Sequence, residues 1–238
     1  MTLAMMFPGQ GSQSVGMMNA LAVEFPVVKE TFAEASQALG KDLWQLVERG
    51  PEANLNQTEI TQPVMLAAGV ATWRAWLAAK GPRPGFMAGH SLGEYSALVC
   101  AGSIDFSEAM KLVADRGRFM QQAVPAGQGG IAAILGLDDD SVRKLCQQAA
   151  QDEVLDAVNF NSPGQVVIAG TAAAVARAVE QSKAAGAKRA VLLPMSVPAH
   201  CRLMRPAARQ MVERLKQAEI RSPQIPVIHN AHVQAESD

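Results

Sequence analysis

The chain has 238 residues, enough for one large domain or one domain carrying a smaller insertion. Hydrophobic residues make up 49% and charged residues 18%, with a net charge of −1, so there is material for a sizeable core and no basic field to draw in nucleic acid or an anionic membrane surface. Cys100, Cys146 and Cys201 fit neither a disulfide framework nor a zinc motif, the N-terminal residues lack the basic stretch of a signal peptide, and no run approaches the roughly 20 apolar residues of a membrane span; the expectation is a soluble cytoplasmic protein.

An apolar run over residues 3–7, closed by Pro8-Gly9, predicts a buried strand. Helical periodicity follows over residues 25–39, and a second short helix over 42–49 is stopped by Gly50-Pro51. Residues 61–80 read as a longer helix with Val64, Leu66, Val70, Trp73, Trp76 and Leu77 on a wide apolar face, ended by Gly81-Pro82. A short strand over 86–88 leads straight into a glycine-flanked serine and a helix over 94–100, and 105–123 is a further helix. This order predicts an α/β layer architecture with a parallel sheet.

Residues 130–194 have their own rhythm. A strand over 131–137, a helix over 138–150, strands over 154–160 and 165–169 joined through Asn161-Ser162-Pro163-Gly164, a helix over 171–185 and a strand over 188–193 give the order β-α-β-β-α-β, the ferredoxin-like unit. With hinges at residues 127–130 and 194–198, the expected organisation is a discontinuous large domain, residues 1–126 and 197–238, carrying a ferredoxin-like subdomain at 127–196. A helix over 202–218 and a strand over 226–229 complete the chain, which shows no internal repeat.

The chemistry concentrates in Gly89-His90-Ser91-Leu92-Gly93. A serine on a sharp strand-to-helix turn projects its hydroxyl above the sheet, flanking glycines remove Cβ clashes, and the next backbone N–H faces a developing oxyanion at a helix N-terminus. The competing reading is a tight glycine turn with an incidental serine. A nucleophilic serine needs a base, and the chain has four histidines: His90, His200, His229 and His232. His90 adjoins Ser91 around the turn, where side chains seldom face each other. His229 and His232 sit near a strand end without a third metal ligand. His200, at the return from the inserted subdomain, stands as either a base over a cleft or a surface or capping histidine.

Two further features are left open by the residues themselves. Phe7-Pro8-Gly9-Gln10-Gly11-Ser12-Gln13 lets backbone approach a ligand closely, yet lacks the full P-loop and dinucleotide-binding patterns. Arg116 falls on the apolar side of its helix, where a guanidinium needs an anionic partner: a structural salt bridge, which the sequence alone favours, or a substrate carboxylate.

Taken in order, Phe7-Pro8-Gly9-Gln10-Gly11-Ser12-Gln13, residues 89–97 (GHSLGEYSA), Arg116-Gly117, residues 159–165 (NFNSPGQ) and Val197-Pro198-Ala199-His200 resemble the malonyl-CoA:acyl-carrier-protein transacylase family of bacterial type II fatty-acid synthesis, over essentially the whole chain. The resemblance implies a hydrolase-like α/β domain with a ferredoxin-like insertion and a ping-pong reaction. Ser91 would be the nucleophile and His200 its general base, with the backbone N–H groups of Gln10 and Leu92 as the oxyanion hole and Arg116 binding the malonyl carboxylate. It further implies malonyl-CoA and acyl carrier protein as substrate and partner, a monomer, and no cofactor or metal. Family members continue beyond the position matching Asp238, and a glutamine in that stretch normally accepts a hydrogen bond from the catalytic histidine. The expectation is therefore a chain lacking the family's C-terminal part, with reduced stability and activity.

Two other functions share parts of this pattern. A serine esterase or thioesterase would use the same elbow, but it usually places an acid between serine and histidine in chain order and would leave Arg116 without a purpose. A non-catalytic carrier-binding module would need no reactive serine at all.

Overall fold

The computed structural model describes residues 2–195 and 197–235. In chain order its elements are β1 (Ala4–Phe7), α1 (Asn19–Glu24), α2 (Val27–Leu39), α3 (Leu43–Arg49), α4 (Glu52–Leu55), α5 (Thr58–Ala78), β2 (Phe86–Gly89), α6 (Gly93–Cys100), α7 (Phe106–Ala123), β3 (Gly129–Leu135), α8 (Asp139–Ala150), β4 (Leu155–Ser162), β5 (Gln165–Thr171), α9 (Ala172–Ser182), β6 (Arg189–Leu192), a 3-10 turn (Arg202–Met204), α10 (Arg205–Leu215) and β7 (Val227–Ile228). Side-chain capping explains why three helices begin one residue later than the sequence pattern suggests. Asp42, Asp138 and Thr171 stand outside α3, α8 and α9 as N-caps and accept from the backbone N–H groups of Gln45, Ser141 and Ala174. Helices α1 and α4 are short turns with no side-chain cap, and no sequence signal marks them.

The chain forms two compact units, Met1–Gly117 with Arg214–Asp238 and Arg118–Glu213. The first holds a parallel three-stranded sheet in the order β1-β2-β7. Its central helix, α5, buries residues on every side, including Ile60, Val64, Leu66, Val70 and Ala71, as expected of a helix apolar all round rather than along one stripe. This helix begins at Thr58 rather than 61, because the N–H groups of Ile60 and Thr61 already turn back to Gln57 O at 2.8 and 2.7 Å. Phe32 meets Trp44 edge-on at 5.4 Å within the same core. Within this unit Arg214 pairs with Glu108 at 2.7 Å and Asp115 at 2.9 Å.

The second unit holds the antiparallel sheet β4-β5-β3-β6, the strand order of a split β-α-β ferredoxin-like unit. The two-residue period of its strands feeds two cores. Ala132, Ile134, Val166 and Ile168 pack against α8 and α9 through Val142, Leu145, Ala149, Val175 and Ala178. Ile131, Val167 and Ala169, on the other face, pack with Met120, Val124, Val197, Ala199, Met204 and Ala207.

That second core bears on the unit boundaries. Residues 118–126 and 197–213, assigned from sequence to the large domain, lie with the ferredoxin-like unit because their apolar side chains cover the face of its sheet that α8 and α9 leave open. Of the expected hinge at residues 194–198, Ser196 lies outside the described residues, as do the last residues of the chain, 236–238. Among the described residues, no helix is long and apolar enough to cross a membrane.

Candidate active site

Ser91 stands between the end of β2 and the start of α6, at the carboxyl end of the parallel sheet, where open α/β sheets place their ligands. Its φ is 53°, a left-handed conformation that is strained for any residue with a Cβ and persists only when the surroundings over-determine it. The surroundings here do so. A Cβ on Gly89 would lie 1.9 Å from the Gly93 carbonyl carbon, and one on Gly93 would lie 2.2 Å from the Phe7 carbonyl oxygen. The strand, the turn and the first turn of α6 therefore touch backbone to backbone, which only glycine permits. His90 N–H donates to Phe7 O at 3.0 Å, Gly93 N–H to His90 O at 2.9 Å and Glu94 N–H to Ser91 O at 3.1 Å, closing the turn.

Gly89→Ala sets a methyl into rigid backbone, and its cost is expected to exceed ordinary overpacking, at about 4 kcal/mol. At roughly 2–4 °C per kcal/mol for a chain of this size, the melting temperature should fall by about 10 °C. An unchanged melting curve would mean that strand and helix part easily.

Leu92 is the N-cap residue of α6, its side chain only 1% exposed, so that side chain anchors the core while its backbone belongs to the N-terminal end of the helix. The loop after β1 lies against the same turn: a Cβ on Gly9 would lie 2.6 Å from His90 O. Gln10 in that loop is held by its side chain, whose Nε2 donates to Thr58 Oγ1 at 2.9 Å. Gln13 buttresses the loop by accepting from Gly11 N–H at 2.7 Å and donating to Asn56 Oδ1 at 2.8 Å.

Arg116 reaches the serine directly. Its Nη2 donates to Ser91 Oγ at 3.2 Å and its Nη1 to Gln62 Oε1 at 2.8 Å, and its guanidinium carbon lies 6.0 Å from the centre of the Tyr95 ring. Burial pushes the Arg116 pKa down, with Tyr95 and Glu94 opposing; a guanidinium remains protonated in proteins. Burial likewise raises the Tyr95 phenol, so Tyr95 stays neutral beside it. Among the described residues no carboxylate forms a salt bridge with Arg116. The structural salt bridge that the sequence favoured is absent there, and the cation faces the Ser91 hydroxyl instead.

His200 belongs to the second unit. It is exposed and itself left-handed, with φ 68°, between Ala199 and Cys201, which are 3% and 4% exposed. A stretch buried on both sides thus thrusts a single polar ring outward.

The histidine near the end of β7 pairs with a carboxylate of α6. His229 Nδ1 lies 2.8 Å from Glu94 Oε1, and among the described residues no group of three or more His, Cys, Asp or Glu is placed to hold a metal ion. Burial raises all three thiols, Cys146 to about 12, which leaves them protonated and poor nucleophiles beside a serine elbow. Sequence reasoning missed Gln62, Thr58 and Asn230. Gln62 could have been found as the polar residue facing Arg116 from a helix otherwise apolar all round; Asn230 carries no signal short of knowing which strand lies beside β2.

A left-handed serine at a strand-helix elbow, with a cation reaching its hydroxyl, is an arrangement suited to acyl transfer. In agreement, residues 5–238 match the family model described as "Acyl transferase domain". The malonyl CoA-acyl carrier protein transacylase of Salmonella typhimurium is 57% identical over 235 residues, 99% of this chain and 76% of that protein. The solved structure of the transacylase of that name from Coxiella burnetii superposes with a TM-score of 0.97 at 49% identity, over 100% of this chain and 75% of that one. A malonyl-transacylase solved in complex with a type II PKS acyl-carrier protein gives a TM-score of 0.97 at 56% identity, over 100% and 77%. The chain belongs to the acyl transferase domain family, and within it to the malonyl CoA-acyl carrier protein transacylases.

Proposed function

We propose that the chain moves a malonyl group from malonyl-CoA to the phosphopantetheine thiol of acyl carrier protein through a malonyl ester on Ser91. His200, as general base, takes the Ser91 Oγ proton while Oγ attacks the thioester carbonyl carbon. The oxyanion of the tetrahedral intermediate accepts hydrogen bonds from the backbone N–H groups of Leu92 and Gln10. The intermediate collapses by breaking the carbon–sulfur bond, and the coenzyme A thiolate leaves with the proton returned by His200. The carrier thiol then attacks the ester carbonyl by the same steps in reverse, restoring Ser91.

The observation that carries the malonyl assignment is the Arg116 guanidinium 3.2 Å from Ser91 Oγ. A malonyl group bonded to Oγ ends in a carboxylate two carbons further on, within reach of a planar donor fork suited to a bidentate pair. A thioesterase of uncharged acyl chains would have no use for that cation. The relatives' names and the solved complex with an acyl-carrier protein support the same reading. It further takes the enzyme to be a cytoplasmic monomer that needs no cofactor, works on soluble thioesters and binds neither nucleic acid nor membrane, in keeping with a net charge of −1.

The test is to incubate the enzyme with malonyl-CoA, with and without carrier, and to locate the adduct by peptide mass spectrometry. The expected result is a malonyl mass on the Ser91 peptide that disappears when carrier is added, with malonyl recovered on the carrier. Fast release of free malonate without carrier would make the protein a thioesterase, and no adduct would make it a binding module.

A further inference from the structure

We propose that Asn230 is a positioning residue for the nucleophile: its carboxamide stands in for the missing rungs of the β2–β7 ladder and thereby fixes the backbone of the Ser91 elbow. This rests on the reading of Ser91 as the nucleophile and extends it to a residue outside the reacting groups. Strands β2 and β7 run parallel, with Met87 opposite Val227 and Ala88 opposite Ile228, and Met87 N–H donates to Pro226 O at 2.9 Å. In a parallel pair alternate residues of a strand bond to the two residues flanking their partners. Carried forward by backbone alone, the alternation would next have Asn230 N–H donate to Gly89 O and Ser91 N–H donate to Asn230 O.

The side chain makes both bonds in place of the backbone. Asn230 Nδ2 donates to Gly89 O at 2.6 Å, and Ser91 N–H donates to Asn230 Oδ1 at 2.6 Å. The Asn230 backbone N–H is diverted to Glu94 Oε2 at 2.9 Å, and the other oxygen of that carboxylate, Oε1, pairs with His229 Nδ1 at 2.8 Å. Glu94 sits in the first turn of α6, where its negative charge is favoured, and so pins residues 229 and 230 to the helix that starts at the elbow.

The geometry has a reason. An amide carries a donor and an acceptor at the spacing of a peptide group, but on a flexible stem that can follow a chain leaving the plane of the sheet. A left-handed Ser91 turns the chain out of that plane, so a backbone rung would lose its register at the residue where the sheet must hold the nucleophile. With the Ser91 N–H committed to Asn230, the amide left to meet an acyl oxygen is the next one along, that of Leu92. Aspartate could supply the acceptor but not the donor, and it would set a carboxylate oxygen against the Gly89 carbonyl.

The test compares Asn230→Ala and the near-isosteric Asn230→Asp with the wild-type enzyme. Three quantities are read: the second-order rate of Ser91 modification by phenylmethylsulfonyl fluoride, single-turnover acylation by malonyl-CoA with its KM, and the melting temperature. A misplaced elbow should slow sulfonylation and acylation together by about 10- to 100-fold while KM for malonyl-CoA stays within about twofold. Asn230→Asp should be as slow as Asn230→Ala although it fills the same volume. If either folded variant modifies Ser91 at the wild-type rate while its melting temperature drops, Asn230 is structural only and the proposal falls; should Asn230→Ala not fold, Asn230→Asp decides alone. Failure of wild-type Ser91 to take up malonyl would instead overturn the reading of the nucleophile, whatever the variants do.

Discussion

Ser91→Ala is expected to reduce malonyl transfer by at least about 10³-fold and to abolish the malonyl-enzyme adduct, because the covalent route then has no acceptor atom. The substitution is unusually clean at this position. Serine and alanine both carry a Cβ, so the strain of a residue held at φ 53° is the same in both proteins. What is removed is one hydroxyl, and with it the acceptor of the 3.2 Å bond from Arg116 Nη2. That bond is long and its donor part-buried, so a shift of the melting temperature by no more than a few degrees is expected, at about 1 kcal/mol. A steady-state transfer assay on the folded variant, read beside thermal unfolding, checks both halves. Transfer at about a tenth of the wild-type rate or more would place the nucleophile elsewhere, and a collapse of stability would mean that the hydroxyl is structural.

Much of this site could be read along the chain. Gly89 and Ser91 have their meaning within five residues, because the clash Gly89 avoids is with the turn itself, whereas Gly93 avoids Phe7 and Pro8, which come beside it only once β1 pairs with β2. The layer order was legible for the same local reason: the switch from a 3.6-residue to a two-residue period marks each change from helix to strand. Contacts made at long range were not legible. Arg116 lies 25 residues from Ser91 and 54 from Gln62 in sequence, so whether it meets a carboxylate or a hydroxyl depends on how α5, α6 and α7 pack, and the sequence alone leaned towards the wrong partner type. Asn230 is further still, 139 residues from the backbone it holds, and becomes significant only once β7 is known to lie beside β2. The unit boundaries show the same limit. The apolar residues of 197–213 look like ordinary core, and only the assembled sheet shows which face they cover.

Specificity follows from the part of the site that the sequence left open. Arg116→Ala is expected to lower kcat/KM for malonyl-CoA by about 10²- to 10³-fold, the loss of a charge-assisted bidentate pair at a part-buried site, while transfer of acetyl is retained or rises. The wild-type enzyme should disfavour acetyl because binding it strands a desolvated guanidinium without an anion, a penalty that disappears with the charge. The ratio of the two rates is therefore the informative quantity, since any general damage to the elbow lowers both together. Some damage is to be expected. Gln62 is fully buried and its Oε1 accepts from Arg116 at 2.8 Å, so the alanine variant withdraws a donor from a group that water does not reach, at about 1–3 kcal/mol of stability. Rates must accordingly be expressed per folded molecule. Arg116→Lys separates charge from geometry: it keeps the cation but offers a point charge in place of the planar fork that now spans Gln62 and Ser91. Preference for malonyl over acetyl should fall in the order arginine, lysine, alanine. Equal losses on both substrates in Arg116→Ala would make the residue a support for the elbow, and the choice of a dicarboxylic acyl group would then have to come from elsewhere in the protein.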